Sequence, residues 1–164
     1  MRGLKKPKRP SSPDSIGAAR DRALLLLGIR PRGARELVRA LTDRGFQAET
    51  ARAAAERLAQ EGLLDDLSAA KSLVRVKGVR YGRLRLSREL ASRGFSAETA
   101  AAALAAELPS REEEALSRAF ARLWKAHGGL PRVARRKKIS DALARRGFSR
   151  ALISEKIREA NESD

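Results

Sequence analysis

Cysteine is absent from this 164-residue chain. That excludes a disulfide framework, thiolate catalysis and thiolate metal ligation. A single histidine, His127, stands in the glycine-containing stretch His127-Gly128-Gly129. One histidine and no cysteine do not make a soft-metal site, and no metal or cofactor is expected. Aromatic residues make up only 4% of the chain, too few to offer an extended base-stacking platform. No apolar run approaches the roughly 18 residues of a membrane span. Residues 1–17 are basic but hold no apolar core segment, so they do not read as a secretory signal. A cytoplasmic location follows by default. A phosphate loop of the form glycine, four residues, Gly-Lys-Ser/Thr is also missing. Acids are outnumbered, 20 Asp and Glu against 36 Lys and Arg, for a formal charge of +16. The excess runs along the whole chain. A field of that sign attracts polyanions, and nucleic acid, an acidic protein surface or an anionic membrane surface would each answer to it.

What the chain does have is one phrase written three times. Leu41-Thr42-Asp43-Arg44-Gly45-Phe46 returns as Leu90-Ala91-Ser92-Arg93-Gly94-Phe95 and as Leu143-Ala144-Arg145-Arg146-Gly147-Phe148. The phenylalanines are 49 and 53 residues apart. Self-similarity at such a period means an array of like supersecondary units. The phrase reads as a helix end. The glycine takes the left-handed position just past the C-cap, and the leucine and phenylalanine make the apolar contact of a Schellman ending. Ser96 and Ser149 then suit the N-cap of a following helix, with Glu98 in a first turn.

Composition from Ala18 onward is rich in Ala, Leu and Arg and poor in β-branched residues, which favours helix. Upstream helices are expected at about Ala18–Ile29, Asp66–Val76 and Arg111–Lys125, the last announced by Ser110 and Glu113 as a capping box. The pairs Leu37/Leu41, Leu86/Leu90 and Ile139/Leu143 mark the core side of the middle helices. The expected fold is all-α, a tandem array of three three-helix repeats. The boundaries are residues 18–64, 65–108 and 109–164, preceded by a disordered basic arm, 1–17, that holds Pro7, Pro10 and Pro13. An array with capped ends favours a monomer.

Catalysis finds little support. The acids Asp65-Asp66 and Glu112-Glu113-Glu114 precede helices, where carboxylates complement the dipole. The basic residues say more. With the three middle helices aligned on their shared phrase, Arg35 and Arg39, Arg85 and Arg88, and Arg132, Lys137 and Lys138 fall on one flank. Arg135 and Arg136 thicken the third cluster, while Glu36 and Asp141 dilute the set. Stacked repeats line equivalent flanks into one surface, so a basic stripe is expected. Its contacts to nucleic acid would be mainly to phosphate. Phe120 and Trp124, four residues apart, read as core. Tyr81, beside Gly82, reads as a loop residue that either stacks on a base or covers the core.

The chain resembles the RecX family of RecA regulators. The resemblance rests on Arg35-Glu36-Leu37 leading to Gly45-Phe46, on Gly62-Leu63-Leu64-Asp65-Asp66, on Tyr81-Gly82 leading to Arg88-Glu89-Leu90, and on Arg145-Arg146-Gly147-Phe148-Ser149. Gly82-Arg83 stands where the family often has Gly-Pro. The resemblance implies an elongated, curved array without catalytic activity of its own. It also implies binding to RecA filaments on single-stranded DNA, with modulation, usually inhibition, of RecA's ATPase, strand-exchange and coprotease activities. The alternative is a non-specific DNA- or RNA-binding protein acting on nucleic acid alone.

Overall fold

A computed structural model describes residues 12–162, and among these there are nine α-helices and no strand. They run α1 (Ile16–Ile29), α2 (Ala34–Thr42), α3 (Ala48–Gln60), α4 (Asp66–Lys77), α5 (Arg83–Ser92), α6 (Ala97–Glu107), α7 (Pro109–Ala126), α8 (Arg132–Arg145) and α9 (Arg150–Glu162). Three buried clusters follow the chain. Leu26, Leu37, Leu41, Phe46 and Leu58 belong to the first, and Leu73, Leu86, Leu90, Phe95 and Leu104 to the second. Leu116, Phe120, Ile139, Leu143, Phe148 and Ile153 belong to the third. Each cluster is built by three consecutive helices, so the repeat is helix, middle helix, tight turn, helix.

The repeated phrase folds as its chemistry requires. Phe46, Phe95 and Phe148 donate their backbone N–H to the carbonyls of Leu41, Leu90 and Leu143, at 3.3, 3.2 and 3.3 Å. The glycines donate to Thr42, Ala91 and Ala144, completing three Schellman endings. Their φ angles are +97°, +76° and +86°. The Ser96 and Ser149 hydroxyls accept from the Thr99 and Leu152 N–H groups.

Two expectations need correction. The third unit does not begin with a capping box. Leu108 continues in helical geometry and Pro109 opens α7 directly, so Ser110 lies inside the helix and no side chain caps its start. A buried Leu108 fixes this tight passage from α6 to α7. In the first unit, Ser15 accepts from the Ala18 N–H and starts α1 at Ile16. The carbonyl of Pro13 accepts from Gln47, so this stretch of the expected arm is tied to the first unit. Residues 1–11 of that arm lie outside the described residues.

The units meet end to end. The N–H of Gly33, at the start of α2, donates to the Arg93 carbonyl at 2.7 Å. That of Gly82, at the start of α5, donates to the Arg146 carbonyl at 3.0 Å, and Leu84 donates to Gly147 at 3.0 Å. The middle helices of the first two units, α2 and α5, therefore seat their N-termini on the Arg-Gly-Phe turn of the next unit. A carboxylate from that next unit completes each seat. Asp66 accepts from the Ala34 N–H at 3.0 Å, and Glu112 from the Arg83 N–H at 2.7 Å. Asp65 keeps the expected role, capping its own α4 through the Ser68 N–H. Glu112 stands in the first turn of its own helix as the sequence reading has it, and its buried carboxylate also serves the neighbouring unit.

The approach leaves no room for a side chain. A Cβ on Gly33 would lie 2.5 Å from the Gly94 backbone, and one on Gly94 would lie 2.3 Å from the Glu36 nitrogen. A Cβ on Gly147 would lie 2.4 Å from the Arg85 nitrogen. Gly62 is a natural control, because it shares the left-handed geometry (φ +71°) but has nothing within 4 Å of its would-be Cβ. Gly62→Ala is therefore expected to cost about 1 kcal/mol, the left-handed penalty alone. Gly94→Ala and Gly147→Ala are expected to cost at least about 3 kcal/mol, because backbone must also move. Urea unfolding of the three variants checks this.

The seat at Asp66 makes a second prediction. Burial raises the Asp66 pKa, against the stabilising hydrogen bond from Ala34, and the neighbouring Asp65 charge raises it further. A folded-state pKa above the unfolded value means that ionisation costs stability at neutral pH. That loss is recovered as pH falls through the folded value. Asp66→Asn keeps the acceptor and removes the charge, so it should unfold at the same or higher urea concentration at pH 7. The difference should vanish below the ordinary carboxylate range. Asp66→Ala loses the acceptor and should cost about 1 kcal/mol at low pH, and less at pH 7, where removing the charge offsets part of the loss.

Candidate polyanion-binding face

End-to-end seating turns α8, α5 and α2 into one row, with the C-terminal turn of each helix against the start of the next. Counting back from the glycine of each turn gives the register. Ala34 matches Arg83 and Arg136, and Arg35 matches Leu84 and Lys137. Glu36 matches Arg85 and Lys138, and Arg39 matches Arg88 and Asp141. Each of these positions is basic in two units of three, so the charge recurs along the row without being identical in each unit.

Arg35, Arg39, Arg88, Arg136, Lys137 and Lys138 are exposed. Among the described residues their side chains make no hydrogen bond or ion pair. Arg83, which the sequence reading passed over, shares both properties; its backbone N–H, not its guanidinium, meets Glu112. Its signal was a charged residue directly after the joint glycine Gly82. Arg132 is exposed at the start of α8.

Two expected members behave differently. Arg135 does not stand with the others. Its guanidinium lies 3.5 Å from the centre of the Trp124 ring and donates to the Trp124 carbonyl at 2.8 Å. Trp124 in turn stacks on Phe120, with ring centres 5.1 Å apart, so this arginine closes the third core. Arg85 is exposed but lies 4.1 Å over the Tyr81 ring and reaches the Arg145 carbonyl at 3.4 Å. Tyr81 is half-buried on the second core beneath it, as a cover and not a free stacking surface.

Most acids near the row are already engaged; Asp141, exposed on α8, makes no ion pair among the described residues. Glu36 pairs with Arg30 and Arg32. Glu89 pairs with Lys77 and Arg93, whose hydrogen bonds outweigh burial and hold its carboxyl below the usual range. On the outer helices Arg75 holds the Glu107 carboxyl low, and Arg20 does the same for Glu61. The surplus cations are thus left on the row. No group of three or more metal-ligating side chains occurs among the described residues, and no helix there is long and apolar enough to cross a membrane.

Comparison with known proteins gives a consistent result. The chain matches the first three-helix domain of RecX at residues 19–58, the second at 65–104 and the third at 111–157. It is 41% identical over 128 residues to a regulatory protein RecX of Xanthomonas campestris pv. campestris (strain B100), covering 77% of this chain and 78% of the relative. It is 37% identical over 146 residues to that of Stenotrophomonas maltophilia (strain R551-3), covering 87% and 85%. With the Streptomyces coelicolor protein it shares 32% over 153 residues, covering 92% and 81%. The fold is similar to the crystal structure of RecX from Lactobacillus salivarius, with a TM-score of 0.78 at 21% identity over 89% of this chain and 96% of that one.

The two kinds of arginine on α8 are separable by experiment. Arg135→Ala should cost about 1–2 kcal/mol and change the emission of Trp124, the only tryptophan. Changing Arg136, Lys137 and Lys138 together to Ala should leave stability within about 0.5 kcal/mol and the emission unchanged. Thermal unfolding followed by fluorescence reads both.

Proposed function

The chain belongs to the RecX family of regulatory proteins, and on that premise we propose that it binds filaments of the RecA recombinase on single-stranded DNA and restrains their activity. The observation that carries this reading is the row of exposed, unpaired cations on α2, α5 and α8. A recombinase filament is a long polyanion with DNA at its centre. A linear basic face matches such a target better than a single compact site would. Arg35, Arg39, Arg88, Arg136, Lys137 and Lys138 meet DNA phosphate or acidic filament surface, and Arg83 joins them. Arg132 lies at the end of the same row. Arg85 and Arg135 act mainly by holding the joint and the third core.

The protein is a regulator and not an enzyme on this reading. Any change in ATP turnover occurs on the recombinase. Inhibition follows if the array bridges neighbouring recombinase subunits and holds them against the motion that turnover needs. With most of the nearby acids already engaged, the row's affinity depends on counterion release and falls steeply with salt. The formal charge of +16 favours the rival reading, a binder of nucleic acid alone.

The test is the DNA-dependent ATPase of the recombinase from the same organism, titrated with this protein at fixed moderate salt. Wild type is expected to inhibit well below the concentration that saturates the DNA. Changing Arg39, Arg88, Lys137 and Lys138 to Ala should raise the half-inhibitory concentration by about tenfold or more. Inhibition seen only once the DNA is saturated would establish the rival reading.

A further inference from the structure

Beside the charged row lies a feature that polyanion binding leaves unused. A groove runs between the middle and third helices of the first two units. In the first unit it has a volume of about 400 Å³ and is walled by Val38, Ala55, Ala59 and Leu64. In the second it has a volume of about 590 Å³ and is walled by Leu84, Ala97, Ala101 and Leu104. Arg35 borders both, beside the Gly33–Gly94 joint. The walls are largely apolar, and the alanines let another backbone come close. Arg52 stands at one part of the rim and Arg83 at the other, with Glu56 as the one acid on the lining. Among the described residues the guanidiniums of Arg35, Arg52 and Arg83 make no hydrogen bond or ion pair.

An apolar trough between two helices, flanked by uncommitted cations, has a definite complement. We propose that this groove docks an acidic amphipathic helix of a protein partner. Its apolar face lies against Val38, Leu64, Leu84 and Leu104, and its carboxylates meet Arg52, Arg35 and Arg83 along the margin. Helix-in-groove recognition combines those two features. Nucleic acid fits less well. Phosphate gains nothing from Val, Leu and Ala walls, and the one aromatic ring on the lining, Phe95, is buried and offers no face to a base. A second copy of this strongly cationic chain is repelled. The proposal does not depend on recombinase binding: Arg35 and Arg83 are shared with the row, but Arg52 and the apolar walls are not, and the test needs no DNA.

The test uses the full chain without recombinase. The probe is a fluorescein-labelled helical peptide of about 18 residues, two-unit length at 1.5 Å per residue, with Leu and Ala on one face and Glu on both margins. A peptide with Gln in place of Glu and a labelled oligothymidylate are the controls. Saturable binding of the acidic peptide is expected, weaker by about tenfold for the Gln peptide and for Arg52→Ala/Arg83→Ala. Ala101 is exposed, so Ala101→Trp fills the groove without entering the core. It should abolish peptide binding, keep the wild-type melting temperature and leave oligothymidylate affinity unchanged. Absence of saturable peptide binding, equal affinity for the Gln peptide, or full affinity in the Ala101→Trp protein would overturn the proposal. Loss of oligothymidylate binding in that variant would assign the groove to nucleic acid and overturn it equally. Arg39, Arg88, Lys137 and Lys138 do not line the groove, so the ATPase result stands or falls separately.

Discussion

The molecule depends on one close contact made twice, the start of a middle helix pressed against the Arg-Gly-Phe turn of the next unit. Glycine is required on both sides, because a Cβ on either partner would stand within 2.7 Å of backbone. The electrostatics favour the same contact. Unsatisfied N–H groups at a helix start carry partial positive charge, and the carbonyls at a helix end carry the opposite. Seating one on the other satisfies groups that would otherwise need water. The Asp66 and Glu112 carboxylates take N–H groups that the turn does not reach. The glycine of the repeated phrase thus has two uses. It ends its own helix, and it is the surface on which the preceding unit rests.

That contact also organises the charge. Seating helices end to end puts α2, α5 and α8 in line, so cations spaced along the sequence become neighbours on a surface. At the same time the joints and the helix pairs consume acids. Glu36, Glu89, Asp66 and Glu112 all lie close to the row, and each is committed to an arginine, a lysine or a backbone N–H. The formal excess of positive charge therefore understates the asymmetry of the row. These four acids are nearby but spoken for, whereas the side chains of Arg35, Arg39, Arg83, Arg88, Arg136, Lys137 and Lys138 make no hydrogen bond or ion pair among the described residues.

How much of this was legible follows from the range of each interaction. The Schellman endings need only Leu41 to Phe46 and their copies, so the phrase announced them and, through its repetition, the array. Ser96 and Ser149 act within three residues and were equally readable. Asp66 and Glu112 act on residues 32 and 29 positions away. Nothing local distinguishes them from acids that complement their own helices, which is how they were read. Arg135 was grouped with its neighbours for a similar reason. In the string Arg135-Arg136-Lys137-Lys138 all four cations look alike, and only the placement of Trp124 on α7 selects one of them for the core. The groove could not be read at all, because its two parts come from four helices and are brought side by side only by a glycine seat.

The third unit shows why the row stops. In register, Arg135 occupies the place that Gly33 and Gly82 hold in the first two units. The helix does not start there but continues upstream to Arg132, with Pro131 as its N-cap. Proline has no N–H to donate to a neighbouring carbonyl, so this start differs from the glycine starts of α2 and α5. The same turn carries Arg132 and turns Arg135 inward onto Trp124. A single local change, four more residues of helix before the shared register, both ends the stacking and concentrates positive charge at that end. Repeat arrays need terminal units that differ from the interior ones. Here the difference lies in the middle helix, whose start carries no such joint among the described residues.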